Sequence, residues 1–74
     1  MRIELFCVDG EEDGKKIKEF LMYNNLPFKE YKTTNKSSLK ITYSHAIHII
    51  DGFNELALNQ LLGHITKYKP KINN

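Results

Sequence analysis

A chain of 74 residues with one cysteine, Cys7, has to hold itself together without a covalent staple. No intrachain disulfide can form, and structural zinc of the multi-cysteine kind is excluded. A chain this short buries only about 60–65% of the surface it exposes when unfolded. Nearly every apolar residue must therefore serve one core, and one domain is all that fits. The lone thiol suits a reducing compartment. The start, Met1-Arg2-Ile3-Glu4, is charged early, and no apolar run approaches the ~20 residues of a membrane span. These features predict a protein of the cytoplasm that does not enter a membrane.

The hydrophobic period changes several times along the chain. Residues 2–8, Arg-Ile-Glu-Leu-Phe-Cys-Val, are rich in β-formers and run apolar from Leu5 to Val8. That predicts a central strand ended by Asp9-Gly10. From about Glu11 to Asn25 the period is helical, with Ile17, Phe20, Leu21 and Asn24 on one side. Glu11, Glu12 and Asp13 crowd the positive end of this helix; Asn24-Asn25 and Pro27 stop it. Gly10 and Gly14 read as turn residues. Phe28–Thr33 is a charged segment that reads as an edge strand, followed by a polar loop over Asn35-Lys36-Ser37-Ser38. Leu39, Ile41 and Tyr43 alternate as in a half-buried strand, Ser44-His45 turns, and Ala46–Ile50 completes a hairpin. Asn54 is placed to cap a last helix over Glu55–Ile65, with Leu58, Leu61, Leu62 and Ile65 as its apolar stripe.

The predicted order is β-α-β-β-β-α, a small α/β or α+β sandwich of two or three layers with one four-stranded mixed sheet. Residues 1–66 form the domain and 67–74 a basic tail. Net charge is only +2, too little by itself to argue for nucleic acid, but it is unevenly spread. Residues 29–74 hold seven lysines against Glu30, Asp51 and Glu55, and the tail reads Lys67-Tyr68-Lys69-Pro70-Lys71. Such a tail contacts phosphates in some proteins and is merely a solvated terminus in most.

The phrase Ile50-Asp51-Gly52-Phe53-Asn54-Glu55-Leu56 resembles the Ile-Gly-Gly-(Phe/Tyr)-Asp-(Glu/Gln)-Leu turn that begins the last helix of glutaredoxins. Ile3-Glu4-Leu5-Phe6 is similar to that family's first strand. Asn25-Leu26-Pro27-Phe28 is similar to its helix-to-strand junction. The resemblance implies a thioredoxin-like fold with the middle helix missing, since only Thr34 to Ser38 is left to join the second and third strands. It also implies what has been lost. Counting back from Pro27, the family's Cys-x-x-Cys falls on Glu11-Glu12-Asp13-Gly14. Counting back from Phe53, its cis-proline falls on Lys40. Asp51 stands for the first glycine of the pair that helps hold the glutathione carboxylate. Three carboxylates repel a thiolate, and anionic glutathione with it. The compact, cysteine-poor look is similar to glutaredoxins of large phages, which implies a phage accessory protein in the cytoplasm of a host cell.

Few residues offer chemistry of their own. Cys7 lies inside the first strand, where cysteine is usually a small core residue. His45 and His48, three apart on a strand, point to opposite faces and no third ligand is evident. Neither a metal nor any other cofactor is expected. Tyr23 and Tyr31, if exposed near Lys29 and Lys32, would form an aromatic-basic surface. Together these readings predict a non-catalytic protein-interaction module on a degenerate glutaredoxin-like scaffold. Its binding residues are sought among Glu11, Glu12, Asp13, Lys29, Tyr31, Lys32, Lys40, Lys67, Lys69 and Lys71. Two alternatives stand beside it: a thiol–disulfide oxidoreductase using Cys7 alone, and a nucleic-acid binder using the tail lysines and exposed tyrosines. The edge segment Phe28–Thr33 also offers a route to a homodimer.

Overall fold

A computed structural model of the protein describes the backbone of residues 1–66 and the side chains of residues 1–63. The tail with Lys67, Tyr68, Lys69 and Lys71 lies outside the described residues. The element order is β1 (Arg2–Cys7), α1 (Glu12–Tyr23), β2 (Lys29–Lys32), β3 (Ser38–Tyr43), β4 (Ala46–Asp51) and α2 (Glu55–Thr66). This is the order expected from the sequence, with boundaries shifted by a residue or two.

The four strands make one mixed sheet in the order β2-β1-β3-β4. β1 runs parallel to β2, which the helical crossover α1 permits, and antiparallel to β3. β3 and β4 form the hairpin, turning at Ser44-His45. β1 is flanked on both sides, while the charged β2 lies at an edge.

The pleat sorts the side chains. Ile3, Leu5 and Cys7 of β1 and Leu39 and Ile41 of β3 are buried in the same cluster as Ile17 and Leu21 of α1 and Leu58 and Leu62 of α2. Both helices therefore pack on one face of the sheet, giving two layers. Seven of these nine apolar side chains are fully enclosed, each worth about 1.5–3 kcal/mol relative to exposure. The alternate positions, Arg2, Glu4 and Phe6 of β1 with Lys40 and Thr42 of β3, point to the second face. Among the described residues no helix covers that face.

Local chemistry sets the element ends. Asn25 has φ 58°, a left-handed conformation that asparagine tolerates better than most residues, and it ends α1 as expected. The Ala57 N–H donates to the Asn54 side-chain oxygen at 3.0 Å, so Asn54 is the α2 cap. Gly14 departs from the sequence reading: it lies inside α1, buried, and not in a turn. No described helix is long and apolar enough to cross a membrane.

Candidate functional site

The start of α1 lies beyond the end of β1. Glu11 precedes the helix but does not cap it with its side chain. Its carboxylate instead reaches a segment 26 residues away, where Oε1 accepts the Ser37 backbone N–H at 3.0 Å. Ser37 is fully buried, although it belongs to a stretch that reads as an ordinary polar loop. Its hydroxyl oxygen accepts the Val8 N–H at 3.0 Å, and its carbonyl accepts the Gly52 N–H at 2.9 Å. One serine thus ties together the end of β1, the approach to α1 and the approach to α2.

The close packing explains two glycines. A Cβ on Gly14 would come within 2.8 Å of the Ser37 Oγ and 3.2 Å of the Cys7 Sγ. Gly52, at φ +71°, lies against Asp13, whose Oδ2 would be 2.9 Å from a Cβ there. Of the three acidic residues, Glu11 and Asp13 are half-buried against these partners and only Glu12 is exposed. The acidic helix start is thus largely an internal latch, and as a docking patch it offers Glu12 alone. The sequence carries one signal for the latch: a glycine in the first turn of a helix, where it costs stability, marks a close neighbour.

Cys7 lies beneath this latch, buried beside Gly14. It forms the floor of a shallow cleft of about 200 Å³ whose walls include Lys18, Glu30 and Lys32. Burial pushes the thiol pKa up from its ordinary value, and the charge and hydrogen bond of Glu30 push it further; Lys32 and Lys18 pull back. Lys18 binds Glu30 at 3.0 Å and holds that carboxyl below its usual range. Lys32 is engaged by Asp9 at 2.7 Å, which raises its own pKa. The cleft is mixed in charge, so it does not favour a thiolate.

The remaining candidates divide between the two faces. The β1–β2 register sets Tyr31 beside Phe6 and Lys29 beside Glu4 on the second face. The two rings stack with centroids 5.3 Å apart. Lys40 joins them, half-buried, between Glu4 and Ile49. Lys32 pairs with Cys7 and points to the helix side. Tyr23 belongs to α1, in the helical layer. The expected surface of Tyr23, Tyr31, Lys29 and Lys32 is therefore not assembled, because the pleat alternates and the helices occupy one side only. What the sheet does assemble on its second face is Arg2, Lys29 and Lys40 around Glu4, next to the Phe6–Tyr31 pair, with Ile47 and Ile49 along β4. Both isoleucines are about 60% exposed (59% and 62%). Sequence reasoning missed these two, because an apolar strand does not say which of its faces is covered.

His45 is exposed at the hairpin turn and His48 half-buried on β4. Among the described residues no three His, Cys, Asp or Glu side chains converge as metal ligands. Comparison with family models, with curated proteins and with solved structures finds no match.

Proposed function

We propose that this protein is a non-catalytic interaction module on a thioredoxin-like, specifically glutaredoxin-like, scaffold reduced by one helix. The β-α-β-β-β-α order and the β2-β1-β3-β4 sheet are compatible with that scaffold. The observation that carries the reading is the bond from Ser37 N–H to Glu11. A redox centre at this helix start needs an accessible thiolate and room for a disulfide partner. Here the place is filled by a carboxylate spent on holding a loop, and the one thiol lies beneath it, buried and with a raised pKa.

The binding surface is the second face of the sheet. It combines exposed apolar side chains, Ile47 and Ile49, with an aromatic pair and three cations, Arg2, Lys29 and Lys40. Large apolar groups rimmed by charge mark protein-binding sites more often than inert surface. Arg2, Lys29 and Lys40 surround Glu4, which offsets part of their charge, and the exposed isoleucines and aromatic pair point to a protein partner that offers an apolar contact. A phage accessory protein acting on a host or phage protein fits this description. The stacked Phe6–Tyr31 pair beside Lys29 supports a second reading, a single-stranded nucleic acid laid across the same face.

Two measurements test the reading. Disulfide reduction with glutathione should show no turnover; turnover that disappears in Cys7→Ser would overturn the non-catalytic assignment. A photo-crosslinker at position 40 should capture a protein in cells, whereas one at Lys16, on the outer side of α1, should not. Nucleic acid captured at position 40 would select the second reading.

A further inference from the structure

The two edges of the sheet are unlike each other. β2 has four residues, Lys29-Glu30-Tyr31-Lys32, and its charges guard it against pairing with another strand. β4 has six, Ala46-Ile47-His48-Ile49-Ile50-Asp51, with no lysine, proline or glycine among them. It is rich in β-branched residues and carries its one charge at the end, a composition that invites strand pairing. Among the described residues nothing pairs with its outer side.

We infer that β4 is the interface for a second copy of this chain, paired antiparallel about a twofold axis at His48. The backbone sets which groups are offered. The two-residue turn makes Tyr43 and Ala46 the hydrogen-bonded pair next to it, and such pairs alternate along an antiparallel ladder. Ala46, His48 and Ile50 thus direct their N–H and C=O toward β3. Ile47, Ile49 and Asp51 direct theirs outward, where a new strand would meet them.

The side chains select the register. With His48 opposite its own counterpart, Ile47 faces the second copy's Ile49 and Ile49 faces its Ile47. Four isoleucines then cluster on the second face of a continuous eight-stranded sheet. The same register brings Asp51, which Lys36 holds at 3.5 Å, opposite the turn residue His45 of the second copy at both ends. Sliding the strands by two residues would instead set Asp51 against Ile47 and leave His45 beyond the paired segment. The register centred on His48 is the one in which each isoleucine of one copy meets an isoleucine of the other at both Ile47 and Ile49. An open groove of about 540 Å³, lined by Ile47, His48, Ile49, Ile50 and Leu61 among others, wraps the same edge and leaves it uncovered. The inference does not depend on the identity of any other partner.

Sedimentation equilibrium of the full chain tests it. The mass should rise with concentration from 8.7 kDa toward twice that value. Ile49→Lys should weaken the association at least tenfold, while Tyr31→Lys on the opposite edge should leave it unchanged. Amide hydrogen exchange checks the geometry without any substitution. The Ile47 and Ile49 N–H groups should exchange slowly in concentrated protein and quickly after dilution. A chain that stays at 8.7 kDa at millimolar concentration overturns the proposal. So does association in which these two amides stay unprotected, or in which only the Tyr31 variant dissociates.

Discussion

The carboxylate of Glu11 and the backbone N–H of Ser37 meet at 3.0 Å across 26 residues of sequence. This bond anchors the five-residue connection between β2 and β3 to the start of α1. A short loop crossing the end of a sheet leaves backbone groups that water cannot reach, and each must find a partner. Glu11 supplies the acceptor for one of them, and the Ser37 hydroxyl and carbonyl satisfy two donors in turn.

Removing that acceptor should therefore cost more than removing a surface charge. Glu11→Ala leaves the Ser37 N–H without its partner, at about 1–3 kcal/mol. Glu11→Gln keeps an acceptor of the same reach, so it should lose less than half as much. Urea unfolding followed by circular dichroism gives both values. Equal losses in the two variants would mean that the negative charge, and not the bond to Ser37, matters here.

Gly14→Ala should destabilise the protein, against the usual trend. In a helix interior the exchange ordinarily gains up to about 1 kcal/mol. At this position the new methyl would press on the Ser37 Oγ, already committed to Val8, and on the Cys7 sulfur. Overpacking of this kind typically costs 1–3 kcal/mol. A lowered urea midpoint at unchanged slope is the expected result. A rise would show that Ser37 moves freely and that the latch is loose.

Much of this architecture is legible from the chain because its signals are local. The alternation of Leu39, Ile41 and Tyr43 and the spacing of Ile17, Phe20, Leu21 and Asn24 each report a period that neighbouring residues suffice to define. Asn54 and Asn25 act within a turn of themselves. The rest depends on distant pairing. Lys29 and Lys32 look alike in sequence. Only the register of β2 against β1 sends Lys29 to the second face and Lys32 to the helix side. Ser37 reads as loop because nothing near it reveals that Glu11, Val8 and Gly52 converge there. The acidic helix start is visible as a run of carboxylates, but its engagement with that buried serine is a tertiary fact.

The Asn54 cap should be worth about 1 kcal/mol. Its side chain accepts the Ala57 N–H, one of the donors that the first turn of α2 leaves free. Asn54→Ala should lower stability by that amount, and Asn54→Asp should retain most of it, since a carboxylate also suits a helix start. Thermal unfolding of the two variants provides the comparison. If both lose equally, α2 is held by Leu58 and Leu62 alone.

The Cys7 thiol gives the stability a dependence on alkaline pH with a definite sign. Its pKa in the folded chain is raised from the ordinary 9.0, first by burial and then by Glu30. Folding therefore favours the protonated thiol. Below the unfolded-state pKa both states hold the proton, and the stability linked to this group is fully present. As pH rises from there through the folded-state pKa, the unfolded chain loses its proton first and that stability is lost. Unfolding measured from pH 8 to 11 should show a decline that is smaller in Cys7→Ala relative to that variant's own value at pH 8. Alkylation should follow the same logic. The native thiol should react far more slowly than the unfolded one at pH 8. Glu30→Gln, which removes the nearby negative charge, should raise the native rate only modestly because burial remains. Rapid alkylation of the native chain would place Cys7 within reach of substrates and reopen thiol chemistry at the start of α1.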